Sequence, residues 1–135
     1  MEIMVFHKKS DRNTGDDMGL GRMAIIECGD REIDDALEYA WKRTNNIYGS
    51  WSRGRYVEGD INNDYSEDIK EIATREKGWD GKEYGHRSSM VGDYFVKCPP
   101  DGIGVYEPYR VAPCGFEKVT DEEFFKAAND HLDRN

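Results

Sequence analysis

The feature that most constrains this chain is one amphipathic stripe over residues 31–43. Ile33, Ala36, Leu37, Ala40 and Trp41 recur at i, i+3, i+4, i+7 and i+8, the spacing that lines one face of an α-helix. Asp34, Asp35, Glu38 and Lys42 take the opposite side. Gly29 breaks the preceding apolar run, and Asp30 is of the residue type that caps a helix N-terminus. Asn45, Asn46 and Gly49 then supply the turn chemistry that ends one. A one-sided helix of this length is stable only against an apolar surface. Two strand-length runs upstream, 3–8 and 22–28, are the expected surface, with the polar stretch 10–21 as a loop between them.

Downstream, 91–98, 102–107 and 109–112 read as short strands, with Pro99, Pro100, Asp101 and Gly102 as the turn between the first two. Thr120 with Glu123 is a T-x-x-E capping box, which predicts a last helix from Asp121 that turns Phe124, Ala127, Ala128 and His131 toward the sheet. The stretch 58–83 differs in character, with nine acidic and four basic residues and little apolar periodicity. It reads as an acidic insertion in a single domain spanning 1–135. A helical turn or more is expected at 66–76, capped by Ser66, and an exposed loop elsewhere. The order β-β-α, insertion, β-β-β, α predicts an α+β fold: a small antiparallel sheet, one main helix after the second strand, and a C-terminal helix.

Composition bears on partners. The formal net charge is -9 over 135 residues, a field that repels nucleic-acid polymers and anionic membranes. No apolar run has the length of a membrane span, and the order of charges at the N-terminus is wrong for a signal peptide. A cytoplasmic protein is expected. Cys28, Cys98 and Cys114 are odd in number and widely spaced, so they read as small buried hydrophobes in a reduced compartment. His7, His86 and His131 have no ligand spacing around them, and neither a metal nor another cofactor is expected.

Five sequence pieces occur in order: Ala40-Trp41, Thr44-Asn45, Ser50-Trp51, Arg87-Ser88-Ser89-Met90-Val91-Gly92-Asp93, and Gly115-Phe116. Together they resemble a family of small proteins encoded by phages, plasmids and other mobile elements. Its members share an AF-x-x-TN helix end, a nearby Trp, an RS-S/T-S-VGD segment and a late G-F motif. YodL-like domains of mobile elements look similar over the second half. The chain departs from the pattern at Trp41, where Phe is usual, and at Met90, where Ser is usual. The resemblance implies a viral or mobile-element accessory protein and carries no assigned activity.

The residues themselves allow two readings. Arg87, Ser88 and Ser89 can donate to an anion at a loop rim, with Gly92 permitting close backbone approach. Alternatively, Val91-Gly92-Asp93 is a turn into a strand, and the Ser hydroxyls satisfy nearby backbone. No local structural job is evident for the Arg87 guanidinium. Trp51 with Arg53 and Arg55 can stack on a base and pair with phosphate, or Trp51 can plug the core while the arginines stay solvated. Neither His7 nor His86 has a nucleophile beside it in sequence, so an enzyme would need a triad assembled only in three dimensions.

Three functions follow. The first, a counter-defence protein that sequesters a small anionic ligand such as a cyclic-nucleotide immune signal without catalysis, places Trp51, Arg53, Arg87, Ser88 and Ser89 at the site. The others are an acidic inhibitor that docks on a host protein as a nucleic-acid mimic, and a small hydrolase. Charge segregation favours the first: 58–83 and 120–135 carry -8 of the -9, leaving a nearly neutral body that holds Arg43, Arg53, Arg55, Arg87 and Arg110. A homo-oligomer is expected, since small ligand sponges often enclose a site with two subunits.

Overall fold

Ile3, Val5 and His7 alternate inward along the first strand, and this period-2 series organises the fold. The computed structural model describes residues 1–11, 13–75 and 80–129. In chain order its elements are β1 (Glu2–Ser10), β2 (Asp17–Glu27), α1 (Ile33–Arg43), β3 (Tyr56–Val57), β4 (Asp60–Ile61), β5 (Ile69–Glu71), β6 (Tyr94–Lys97), β7 (Glu107–Ala112), β8 (Gly115–Lys118) and α2 (Asp121–Asn129). Six strands form one antiparallel sheet in the order β5-β2-β1-β6-β7-β8, and β3 pairs with β4 apart from it. The fold is α+β, with one helix after the second strand and one at the C-terminal end.

Cross-strand neighbours share a face, and the register sorts the side chains. Val5 faces Ala24 and Phe95, and these join Ile3, Ile26 and Val111 in the core beneath Ala36, Leu37 and Ala40 of α1. The opposite face carries Met4 and Phe6 with their partners Val96 and Tyr94. There Phe124 of α2 packs edge-on to Phe6 and Tyr94, with ring centroids 5.1 and 5.8 Å apart. The two helices therefore cover opposite faces. The Thr120 hydroxyl accepts from the Glu123 N–H at 3.1 Å, as a capping box requires. His131 lies outside the described residues.

Several local expectations are corrected. The helix starts at Ile33 behind Glu32, which makes no side-chain cap, and not behind Asp30. Residues 29–32 are spent turning off the sheet. The loop expected at 10–21 is short, because Asp17 to Gly21 extends β2 along the far end of β1. Residues 102–106 do not form a strand, and Glu107 begins β7; the third strand of the meander is β8. In the acidic stretch, Ile69–Glu71 is an edge strand on β2 and not a helix. Met23, extra in the β1–β2 register, accepts from the N–H groups of Ile72 and Ala73 and ties that edge down. Residues 76–79 of the acidic stretch are outside the described residues. Cys28 is in the core, Cys98 is half-buried, and Cys114 is exposed on the tight β7–β8 turn, contrary to the buried reading.

Candidate functional site

Past Val5 the inward series of β1 reaches His7, level with the C-terminal end of α1. Apolar packing stops there, and Thr44, Trp51 and the 86–93 segment close the core with polar groups. Asp93 is fully buried. Its carboxylate accepts from both terminal nitrogens of Arg87 at 2.7 and 2.8 Å, from the Met90 N–H at 2.8 Å and from the Lys8 N–H at 2.9 Å. The guanidinium also donates to the carbonyls of Ser88 and Lys8. Arg87 therefore has a structural partner six residues on, which corrects the expectation that no such job exists. A buried carboxylate needs a paired cation and further donors, and these supply both. Gly92 makes the tight return to Asp93 with φ 94°, a conformation that a side chain would strain.

Ser88 and Ser89 are engaged on the other side of the same segment. Ser88 Oγ accepts from the Asn46 N–H at 2.8 Å. Ser89 Oγ lies 3.0 Å from His7 Nε2 and 2.7 Å from Thr44 Oγ1, and Thr44 Oγ1 lies 2.8 Å from the Ala40 carbonyl. Counting protons sets the direction of this chain. The carbonyl only accepts, so Thr44 donates to it; Ser89 then donates to Thr44, and His7 Nε2–H donates to Ser89. His7 is a donor in this chain, and Ser89 has its proton turned away from it. A nucleophile–base pair needs the reverse. Asp93 Oδ2 is 3.8 Å from the same His7 Nε2 and not beside Nδ1, so the three residues are not arranged as a catalytic triad.

His7 Nδ1 is buried and has no hydrogen-bond partner among the described residues. Desolvation is the main reason the His7 pKa falls to about 4, with the cations Arg87 and Lys9 adding to it and Asp93 opposing it. Unfolded chains protonate the imidazole near pH 6.5, before the folded state does. This contribution to stability is complete above about pH 6.5 and is lost as the pH falls toward 4, in total about 3 kcal/mol. Urea titrations between pH 7 and 4 should show that loss, and His7→Gln, which keeps a donor near the Nε2 position, should flatten it.

Trp51 is buried at the same end, with its indole N–H donated to the Arg87 carbonyl at 2.8 Å. His7 meets it edge-on at 6.1 Å and His86 lies tilted at 5.8 Å. His86 donates its backbone N–H to Ser52 Oγ at 2.6 Å, and its Nε2 is 3.2 Å from the Ala73 carbonyl. Arg53 is half-buried, with its carbonyl accepting from Asn62 Nδ2 at 3.2 Å. Arg55 pairs with Glu67 at 2.7 Å. The fold thus gathers Trp51, Arg87, Ser88 and Ser89 at one end of the core, where Trp51 bonds Arg87, Ser88 bonds Asn46, and Ser89 bonds His7 and Thr44.

Two residues of the acidic stretch, Asn62 and Asp64, are buried and hold the segment after α1. Asp64 Oδ2 accepts from the N–H groups of Ile47, Tyr48 and Gly49 at 2.7, 2.9 and 2.7 Å. Asn62 bonds the Ser50 N–H and the carbonyls of Ser50, Arg53 and Gly54. A Cβ on Gly49 would sit 2.4 Å from Asn62 Oδ1, so glycine permits this approach. The segment so fixed forms one wall of an open cleft of about 770 Å³ along α1, lined by Arg31, Asp35, Glu38, Tyr39, Trp41, Lys42, Asn45, Asn46 and Ile47. The Arg31 guanidinium lies over the Tyr39 ring, 3.7 Å from its centroid, and donates to the Cys28 carbonyl at 2.9 Å. The Tyr39 hydroxyl bonds Asp68. None of these lining residues was among the expected site residues; their signal was an aromatic pair and two cations at the edge of the α1 stripe.

Comparison with protein-family models, curated proteins and solved structures gives no match for this chain. Among the described residues no group of three or more His, Cys, Asp or Glu is placed to hold a metal ion, and no helix is long and apolar enough to cross a membrane.

Proposed function

We propose that this chain is a cytoplasmic accessory protein of a phage or other mobile element that captures a small anionic ligand, of the nucleotide class, without catalysis. The observation that carries the reading is the cleft along α1, whose volume suits a ligand of that size. It combines two aromatic rings, Tyr39 and Trp41, with two cations, Arg31 and Lys42, while the Asn45 and Asn46 amides on its wall bond the Trp41 and His86 carbonyls and shape it. Guanidinium and ammonium groups pair with phosphate, and the Trp41 ring would stack on a base, since the Tyr39 ring already carries the Arg31 and Arg43 guanidiniums. Asp35 and Glu38 on the same wall would accept from sugar hydroxyls or an exocyclic amine, favouring a nucleotide over bare phosphate. The acidic surface does not forbid this, because contact hydrogen bonds outweigh a screened distant field. A homo-oligomer belongs to the proposal, since a second subunit would close the open side of the cleft.

The test is direct. The protein is incubated with a panel of cyclic and linear nucleotides, freed of unbound ligand, and denatured. Intact nucleotide recovered in proportion to protein is the expected result. Arg31→Ala and Lys42→Ala should each weaken capture about tenfold, the loss of one charge-assisted contact. Absence of retained ligand would sink the capture reading, and recovery of product would replace it with an enzyme.

A further inference from the structure

On the opposite face of the sheet, α2 does not cover the apolar surface completely. A groove of about 490 Å³ runs between it, the sheet and the 103–106 loop, lined by Met4, Phe6, Val96, Val105, Tyr106, Pro108, Phe124 and Phe125, with Asp121 as its charged residue. Apolar side chains also stand out at its margin: Val105 is 75% exposed and Phe125 61%. Ile103, two residues before Val105, is 82% exposed. Contiguous apolar exposure on so polar a chain marks an interaction surface.

Charge decides what fits it. Asp121 lines the groove, Glu123 lines an adjoining pocket that shares Val105, Tyr106, Pro108 and Asp121 with it, and Glu122 lies between them in the first turn of α2. Lys97 and Lys118 on the adjoining strands both pair with Glu107, at 3.4 Å each. A second copy seated here would bring one acidic rim against another, on a chain of net charge -9, which disfavours self-association through this face. An anionic lipid surface is repelled for the same reason. An apolar stripe flanked by lysines or arginines satisfies both the groove and its rim.

We propose that the α2 groove is a docking site for a basic amphipathic segment of a partner protein, inserting apolar side chains between Val105 and Phe125 while its cations meet Asp121, Glu122 and Glu123. This site is separate from the α1 cleft and does not depend on ligand capture there. The docking mode is that of a helix laid into a groove.

The experiment uses the full chain and a labelled peptide of about 14 residues, long enough for helix to form on binding, with leucines on one helical face and lysines on the other. The control peptide carries glutamates in place of the lysines. Binding of the Leu/Lys peptide alone is expected, weakening at least tenfold in Val105→Ser/Phe125→Ser and several-fold in Glu122→Gln/Glu123→Gln. All four positions are exposed, and circular dichroism verifies that the variants fold. Equal binding of the Leu/Glu peptide, no binding of either, or Leu/Lys binding unchanged by Val105→Ser/Phe125→Ser would overturn the proposal. Partition onto phosphatidylserine vesicles, lost in the same variant, would replace it with a lipid surface.

Discussion

Asp93→Ala lowers the stability of this protein by about 3–5 kcal/mol, the cost of breaking a buried ion pair, and chemical denaturation of the variant measures it. Typical domains have only about 5–15 kcal/mol in total, so the variant is expected to be partly unfolded at 37 °C. The size of the effect follows from what Asp93 holds. One carboxylate joins Arg87, the Lys8 N–H of β1 and the Met90 N–H of the 86–93 turn. Removing it leaves a guanidinium and two backbone donors without their acceptor. Arg87→Met should also destabilise, because it strands a carboxylate that is fully buried. The loss should be smaller than for Asp93→Ala, since the Arg87 side chain is 38% exposed and water can partly replace it. The double variant Arg87→Met/Asp93→Leu should recover part of the loss, as apolar replacements of buried pairs do. An Arg87 whose main task were to bind ligand would give Arg87→Met at no cost in stability, so the cycle separates the two roles.

The second large effect is at Trp51. Truncation to Ala should cost about 3–5 kcal/mol, the usual range for a fully buried Trp, read from the shift in urea midpoint. Trp51→Phe should cost less, losing mainly the hydrogen bond from the indole N–H to the Arg87 carbonyl. Trp51 and Asp93 both brace the 86–93 segment, so Trp51→Ala and Asp93→Ala should combine non-additively. A Trp that served only to stack on a ligand would leave the midpoint unchanged in the free protein. Tenfold weaker nucleotide capture in Lys42→Ala, an exposed position, with the midpoint preserved, would be the complementary result for the α1 cleft.

Much of the architecture was legible because it depends on local pattern. The α1 stripe, the strand-length runs at 3–8 and 22–28, and the Thr120–Glu123 box each lie within one element, where periodicity and capping act. The errors lie where a partner decides the outcome. Ile69–Glu71 is too short for periodicity to sort strand from helix, and the open edge of β2 made it a strand. Asp17 to Gly21 reads as loop by composition, yet it pairs because β1 continues opposite it. The helix entry shifted from Asp30 to Glu32 because the chain first had to leave the sheet.

The candidate site divides along the same line. Arg87 and Asp93 sit six residues apart in one visible motif, yet their pairing depended on β1 bringing Lys8 alongside. His7 and Ser89 are separated by 82 positions, and Asp64 bonds backbone 15 to 17 positions away. No spacing rule reaches such distances. By itself the sequence determined the elements that local periodicity specifies, the α+β class and the segregation of negative charge. Only the tertiary structure decided that Trp51 bonds Arg87, that Ser88 bonds Asn46 and Ser89 bonds His7 and Thr44, and that the open cleft is lined by Arg31, Tyr39, Trp41 and Lys42. The physical reason is that burial and hydrogen-bond satisfaction are properties of contacts between distant segments, and a polar side chain becomes a ligand donor only if the fold leaves it uncommitted.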